Sequence, residues 1–244
     1  PSIKNKMKKI VLLFAACCFV FIAKAQNDIV VDANASVRNL TGQFDAIKVS
    51  GGIDLYLSQA DNVAIAVSAG NENYKEGIKT VIEDGTLKIF YKGENSWRKK
   101  DRKMRVYVSF KDIKKLEASG ACDVIVTGSI STASLAIQMS GACDFSGSVK
   151  AAVLKLNLSG ASDAKISGTA GTAFIESSGA SDVKAYDLVT DICKVNVSGA
   201  SDVFITVNNE LTASATGASD IKYKGNALVK EMKSSGASSV SKKN

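Results

Sequence analysis

The sequence contains no histidine and only one proline. Without an imidazole, it can build no Ser-His-Asp triad, no Cys-His dyad and no histidine-ligated zinc site. The scarcity of proline argues against a disordered linker protein. Aromatic residues make up only 7% of the chain, which argues against one large aromatic-rich core. In contrast, the small residues Ser, Ala, Gly and Asp are abundant, and they are typical of tight turns.

The N-terminal residues predict a secretory signal peptide. Met7 is followed by two lysines, an apolar run from Ile10 to Ala23 and the small-residue pattern Ala23-Lys24-Ala25. The run is too short to cross a bilayer, which needs about 20 residues. We therefore expect residues 1–25 to be removed, Met7 to be the true start and Gln26 to begin the mature chain. This predicts an exported protein in the periplasm, associated with the outer membrane or at the cell surface.

Lipidation is the alternative reading of the same segment. Phe14-Ala15-Ala16-Cys17 loosely resembles a lipobox, and a lipid on Cys17 would tether the protein to a membrane. Cleavage before Gln26 is favoured, because the apolar residues Phe19 to Ala23 would otherwise follow the lipid.

The charge of the chain changes once this segment is set aside. The first 25 residues carry five lysines and no acid, which leaves 26 basic and 24 acidic residues. A chain so close to neutral has no general attraction for nucleic acid, and no nucleic-acid partner is predicted.

A six-residue turn of the type Ser-Gly-Ala-Ser-Asp-Val recurs through the second half. Its seven copies are spaced 21, 19, 19, 20, 18 and 19 residues apart, and they begin at Ser119, Ser140, Ser159, Ser178, Ser198, Thr216 and Ser235. Ser50 to Leu55 is a degenerate relative. The last copy has Ser239 in place of Asp, as expected for a terminal repeat.

The residues flanking each turn predict strands. The third residue before each turn and the residue after each Asp position are apolar in every copy, and segments such as Leu154 to Leu158 alternate with period two. A single repeat cannot bury such a face alone, whereas stacked repeats share one interior. We predict a β-solenoid with repeats of about 19 residues in 117–244, in which Asp and Ser hold the corners by hydrogen bonds to backbone amides.

The first half repeats less regularly. An extension over 26–39 precedes an irregular β region over 40–116 that continues the solenoid with irregular coils. We predict strands near Phe44–Val49, Ile53–Leu57, Val63–Val67, Thr86–Tyr91 and Met104–Phe110. Tyr74 to Val81 is a short helix or an irregular turn, and Asp84-Gly85 predicts a hairpin.

Three features together resemble one family of exported proteins, the auto-transporter adhesin, head GIN domain family. They are the segment Phe44 to Leu55, the segment Asp84 to Ile89 and the serial Ser-Gly-Ala-Ser-Asp turns. The resemblance covers about residues 40–241. It implies an all-β, right-handed parallel β-helix and a role in adhesion, and it implies no catalytic residue and no cofactor.

The repeated aspartates are a candidate metal site. A calcium-binding stack would use several carboxylate oxygens. The favoured alternative is a ladder that caps turns, because each repeat supplies one carboxylate. The members are Asp123, Asp144, Asp163, Asp182, Asp202 and Asp220.

Three cysteines remain in the mature chain. Cys122 and Cys143 occupy the same position in neighbouring turns, where later copies have Ser. They either form a disulfide between coils, since one coil spacing lies within the permitted Cα range, or replace Ser as small residues. Cys193 stands where other repeats have leucine and is predicted to be a buried thiol.

A charged loop from Lys92 to Lys103 is the candidate ligand contact of the first half. Its residues Trp97, Arg98, Lys99 and Lys100 could bind an acidic glycan by stacking and charge. The alternative is a solvated hairpin loop.

The function predicted from these features is that of a non-catalytic envelope protein, an adhesin or binding module that presents a solenoid face to a glycan or protein. Oligomers are compatible with this role. The alternatives are a polysaccharide-lyase-like enzyme on a β-helix and a purely structural envelope component. The uniform repeats disfavour the enzyme, because a lyase needs a charged cluster that interrupts them, and fold alone implies no activity.

Overall fold

The computed structural model describes residues 32–93 and 102–243. Within them the chain forms sixteen strands and one short helix, α1 (Glu72–Gly77). The strands are β1 (Ser36–Arg38), β2 (Ala46–Ser50), β3 (Asp54–Gln59), β4 (Ala64–Ser68), β5 (Ile78–Glu83), β6 (Thr86–Tyr91), β7 (Arg105–Phe110), β8 (Lys115–Gly120), β9 (Asp123–Gly141), β10 (Asp144–Leu158), β11 (Asp163–Ser177), β12 (Val183–Val197), β13 (Asp202–Gly217), β14 (Asp220–Lys224), β15 (Leu228–Gly236) and β16 (Ser239–Lys242).

The second half is a stack of parallel coils, as predicted. Strands β9 to β13 each continue through a bend, and each pairs in parallel with the next. The aspartates mark the register, since Asp144 pairs with both Asp123 and Asp163. Register shifts occur where the strands bend, for example between Lys165 and Gly168. Each coil therefore presents one face before the glycine corner, here called the first face, and a second face after it.

The glycine at each corner has both a conformational and a packing requirement. Gly217 adopts a φ of +85°, which side chains with a Cβ rarely adopt. A Cβ added there would lie 2.6 Å from the carbonyl oxygen of Gly199 in the preceding coil. The corners therefore stack backbone on backbone, which explains why the glycine recurs in every copy.

Side chains from successive coils share one interior. One inward column contains Leu135, Leu154, Ala173, Cys193 and Leu211, all at most 1% exposed and paired in register. Burying each leucine stabilises the fold by about 2 kcal/mol. The predicted apolar positions flanking the turns are buried, except in the final coil, where Met232 is 45% exposed because no further coil covers it among the described residues.

The first half also forms coils, but their order along the stack differs from their order in the sequence. Strands β2 and β3 lie between the coil of β6 and β7 and the coil of β8 and β9. The degenerate turn at Ser50 stacks directly on the first regular corner, because Ser50 pairs with Ser119. The expectation of irregular coils in this region is confirmed.

Antiparallel strands close this end of the solenoid. Strand β4 pairs antiparallel with β1 and β7, and β5 pairs antiparallel with β6. The β5–β6 hairpin turns at Asp84 and Gly85, whose φ angles of 50° and 70° match the predicted two-residue turn. Pairing in this way covers the edge that a parallel stack would leave open.

The helix is shorter than the segment Tyr74 to Val81 suggested. Asn71 caps α1, and its side-chain oxygen accepts a hydrogen bond from the Tyr74 amide at 3.1 Å. From Ile78 the chain is already strand β5, because its backbone groups pair with β6. Within 32–93 and 102–243, no helix is long and apolar enough to cross a membrane.

Candidate functional site

Two polar columns run along the first face beside the glycine corners. The residue that opens each turn forms the serine column: Ser50, Ser119, Ser140, Ser159, Ser178, Ser198 and Thr216. The residue two positions earlier forms the amide column: Lys48, Glu117, Gln138, Asn157, Glu176, Asn196 and Ser214. Alternation along the strand explains both columns, since the residue between them points into the core.

A shallow groove follows these columns. It consists of two depressions of about 390 and 380 Å³ that share Glu176 and Ser178. The groove extends from Lys48 at one end to Ser214 and Thr216 at the other, which at one coil per ~4.8 Å is about 29 Å. A groove of this length and regularity matches an extended ligand with repeating units better than a single small molecule.

The serine hydroxyls in the groove are oriented by the neighbouring coil. Ser159 Oγ donates to the carbonyl of Met139 at 3.3 Å, and Ser178 Oγ donates to that of Leu158 at 3.4 Å. Thr216 repeats the contact with Val197 at 3.4 Å. Since each proton is used internally, the outer lone pairs of these oxygens are available as acceptors.

The side-chain amides supply the donors. Gln138, Asn157 and Asn196 make no side-chain hydrogen bond to any residue in the described part of the chain. Each amide offers two N–H donors and one carbonyl acceptor. Together with the hydroxyls they form a surface that can both donate to and accept from a hydroxyl-rich partner.

Charge is concentrated at one end of the groove. Glu117 accepts hydrogen bonds from Lys115 and from Lys48, the latter at 2.9 Å, and these lysines lower the pKa of its carboxyl group. Glu176 lies three coils away, about 14 Å along the stack. Paired glycosidase carboxylates stand roughly 5 to 9.5 Å apart, so these two do not form such a pair.

A second ladder lies inside the corners. Ser162, Ser181, Ser201 and Ser219 are at most 1% exposed. The oxygen of Ser181 accepts from the amide of Ser162 at 3.2 Å, and that of Ser201 accepts from Ser181 at 3.1 Å. Ser181 and Ser201 thus each satisfy a backbone amide of the preceding coil, whereas Ser219 Oγ donates to the carbonyl of Thr216 at 2.9 Å, so this ladder is structural.

The aspartates lie outside the corners in one column on the second face. Asp163 Oδ1 accepts from the Asp182 amide at 3.1 Å, and Asp202 Oδ1 accepts from the Asp220 amide at 3.0 Å. Lys184 lies 3.6 Å from Asp163 and 3.8 Å from Asp182. The carboxylate oxygens thus link neighbouring coils by accepting from backbone amides, and the turn-capping role stays a prediction. Among the described residues, no three Asp, Glu or Cys side chains are grouped closely enough to hold a metal ion.

The Asp column continues into the first half at Asp54. Burial raises the pKa of its carboxyl group, and the charge of Asp123 on the next coil raises it further. The turn at Ser50 therefore carries the same carboxylate position as the regular repeats.

The two neighbouring cysteines point inward. Cys122 and Cys143 are fully buried free thiols that occupy the position of the serine ladder on adjacent coils. Each Sγ donates to the carbonyl three residues earlier at 3.3 Å. The adjacent Cys143 thiol lowers the pKa of Cys122, whereas the adjacent Cys122 thiol and burial raise the pKa of Cys143. Because the two thiols lie on adjacent coils, their oxidation to a disulfide stays a prediction.

Cys193 and the charged loop are the remaining residues singled out from the sequence. Cys193 is a buried thiol whose pKa is raised by burial to about 12. Trp97, Arg98, Lys99 and Lys100 lie outside the described residues, between β6 and β7. The amide column was missed from the sequence, although its signal was present as the polar residue two positions before each turn.

The sequence profile of the family described as "Putative auto-transporter adhesin, head GIN domain" matches residues 43–227. No curated protein matches the sequence significantly.

Solved structures of bacterial proteins share the fold. A "putative adhesin" from Bacteroides fragilis superposes with a TM-score of 0.78 at 20% identity, covering 85% of this chain and 95% of its own. A "putative lipid binding protein" from Parabacteroides distasonis gives 0.68 at 22% identity, covering 86% and 97%. A "putative adhesin" from Parabacteroides merdae gives 0.64 at 20% identity, with the same coverage. Because the family profile spans most of the chain and the stacked coils agree with these folds, the protein belongs to the head GIN domain family of adhesin-like proteins.

Proposed function

We propose that this protein is a non-catalytic binding module that holds an extended, neutral glycan along the groove between its amide and serine columns. The observation that carries the proposal is the continuity of the groove over several coils, with unpartnered amides on one side and oriented hydroxyl oxygens on the other. A glycan presents hydroxyl groups at regular intervals, and each can donate to one column and accept from the other.

The chemistry of the groove favours binding over turnover. Nucleophilic or general acid–base catalysis needs two reactive groups within hydrogen-bond reach of one reacting centre. Glu117 is held by two lysines, and Glu176 stands three coils away with no described acidic partner beside it. Membership of an adhesin-like family supports the same reading. The protein would act outside the cytoplasm, in keeping with the predicted signal peptide.

The test is affinity electrophoresis in gels that contain laminarin, arabinoxylan or galactomannan. We expect at least one of these neutral polysaccharides to retard the protein. The double variant Asn157→Ala/Asn196→Ala removes two amides from the groove and should weaken binding about tenfold, since each lost hydrogen bond contributes roughly 0.5–1.5 kcal/mol.

The matched control is Asn208→Ala/Asn209→Ala, which removes two exposed amides outside the groove. This control should bind as the unmodified protein does. Equal binding by the groove variant, or no retardation by any of the three polysaccharides, would show that the groove does not hold a neutral glycan. Release of shortened sugars from the gel would instead support the alternative of a carbohydrate-active enzyme.

A further inference from the structure

A cluster of lysines and aromatic rings lies on the second face near the last coils, away from the groove. The rings of Tyr186 and Phe204 are 5.5 Å apart at an angle of 59°. Lys224 Nζ lies 4.6 Å and Lys243 Nζ 5.1 Å from the centre of the Tyr186 ring, and Lys222 Nζ lies 5.7 Å from that of Phe204. These five residues are here called the basic patch.

The patch is positioned by a break in strand register. Pairing between β12 and β13 shifts between Ala185 and Val189, and Tyr186 lies in this interruption. Thr206 Oγ1 donates to the Tyr186 carbonyl at 2.8 Å, and Thr206 pairs with Lys224 on the next coil. The Lys243 amide in turn donates to the carbonyl of Tyr223 at 2.8 Å. The two lysines are thus brought to the same ring from successive coils.

Two of the three lysines in the patch have no acidic partner among the described residues. Lys222 pairs with Asp220 at 3.3 Å, whereas Lys224 and Lys243 have no ion pair with a described residue. Asp220 precedes Lys224 by four residues, about 13 Å along the strand and beyond a Debye length of ~8 Å. Asp187 lines a different depression with Lys165. Two ammonium groups that share one ring would therefore be stabilised by a bound anion.

Further lysines extend the patch along the solenoid axis. Lys165 pairs in register with Lys184, Lys184 with Phe204, and Phe204 with Lys222. Lys184 lies close to two aspartates, and Lys165 has no ion pair with a described residue. Cations repeated along a line suit a polymer that carries an anionic group on successive units.

We propose that the basic patch binds the carboxylate or sulfate groups of an acidic polysaccharide. Lys224 and Lys243 contact the anionic group, and the rings of Tyr186 and Phe204 hold the lysine side chains in place through cation–π contacts. A membrane surface fits less well, because binding in a bilayer interface requires projecting apolar side chains, whereas these rings lie beneath lysines. The site is distinct from the groove and takes a ligand of different charge.

The experiment measures binding of the full chain to sodium polygalacturonate and to dextran sulfate at low salt, with neutral dextran as the reference. We expect binding to one or both polyanions that weakens as salt is added. The variant Lys224→Gln/Lys243→Gln should lower the affinity about tenfold or more, because each charge-assisted hydrogen bond is lost.

The control variant is Lys155→Gln/Lys194→Gln, which removes the same charge from exposed positions on the first face. It should change the affinity less than about twofold, since its charges lie far from the patch. Equal loss in both variants would mean that only net charge matters, and absence of polyanion binding would overturn the proposal directly.

Vesicles of phosphatidylglycerol and phosphatidylcholine distinguish a lipid headgroup from a glycan. Patch-dependent binding to these vesicles without binding to either polyanion would also overturn the proposal. Circular dichroism of each variant checks the fold. If Lys224→Gln/Lys243→Gln unfolds, the single variant Lys243→Gln at an exposed position provides the same comparison with Lys194→Gln.

Discussion

The two halves of the molecule stack their coils with different side chains at the inward corner position. In the regular coils the inward corner position is a serine that hydrogen-bonds to the preceding coil, as Ser201 does with Ser181. In the first half the corresponding position is Ile53, which is fully buried. Between them stand Cys122 and Cys143. Regular coils therefore depend on identical backbone contacts, whereas the irregular end depends on bulky apolar side chains that fill less uniform space.

The largest expected difference between the halves concerns the corner glycines. In Gly199→Ala the new Cβ would lie 2.5 Å from the Gly179 carbonyl oxygen at a φ of +84°. Overpacking and left-handed strain together should reduce the free energy of unfolding by about 4 kcal/mol. Gly51, the matching glycine of the degenerate turn, has a φ of +90° but no atom closer than 3.4 Å to an added Cβ. Gly51→Ala should therefore cost about 1 kcal/mol, the strain alone.

Urea unfolding of both variants measures this contrast. Similar losses in Gly199→Ala and Gly51→Ala would mean that the corners of the regular coils are no more tightly stacked than the degenerate one. Because solenoids can unfold in parts, hydrogen exchange at the affected coils should accompany the urea data.

The next effect concerns the boundary between the halves, at the paired cysteines. We predict that Cys122 and Cys143 form a disulfide under oxidising conditions, because one coil spacing of ~4.8 Å lies within the Cα range of 4.4–6.8 Å that roughly bounds disulfides. Two thiols would each lose a proton, and their two electrons would pass to an oxidised glutathione. A closed loop of this size should add about 3 kcal/mol to the free energy of unfolding.

Thiol titration in denaturant tests the disulfide. The oxidised protein should react with two fewer equivalents than the reduced protein, and Cys143→Ser should remove this difference at that pair. Equal titres before and after exposure to oxidised glutathione would show that serine-like packing is the whole role of these residues.

A smaller effect is expected within the buried ladder itself. Ser201→Ala leaves the buried amide of Ser181 without its acceptor, which should cost about 2 kcal/mol. Cys143→Ser, measured in reducing buffer, places the usual hydroxyl in the same position and should change the free energy of unfolding by less than about 1 kcal/mol. Thermal unfolding of the two variants compares them. An equal cost would contradict the view that Cys143 replaces a serine of the ladder.

The smallest effect concerns the carboxyl group of Asp54, whose pKa is raised by burial and by Asp123. A raised pKa in the folded state means that ionisation opposes folding above that pKa and that the penalty disappears as pH falls through it. Asp54→Asn should therefore stabilise the protein at pH 7 by about 0.5 kcal/mol, after allowance for solvent screening at this half-exposed position. The gain should shrink towards pH 3. A gain that is independent of pH would exclude ionisation as its cause.

Local sequence patterns predicted individual strands and turns better than the order in which the strands pair. Strand β6 has the predicted bounds Thr86–Tyr91, and the Asp84-Gly85 turn adopts the expected φ angles. Both depend on neighbours in the sequence. The insertion of β2 and β3 between two later coils could not be predicted, because parallel pairing joins residues far apart in the chain and is selected by packing of the interior.

The two candidate sites also differ in how far the sequence could predict them. Each serine of the groove was visible as the first residue of a repeated turn, and the polar residue two positions before it could also have been identified. The basic patch had no comparable signal, because Tyr186 and Lys243 are brought together only by a register shift and by stacking of four coils.

The sequence by itself determined the repeat, the strands that flank each corner, the need for glycine at the corners and the choice of inward side chains. These follow from the period of about 19 residues and from alternation along each strand, which are properties of short segments. Only the tertiary structure decided the order of the first coils, the closure of one end by antiparallel strands and the position of the groove and the basic patch. Those features depend on which distant segments pair, and the free energy of that choice lies in contacts between coils.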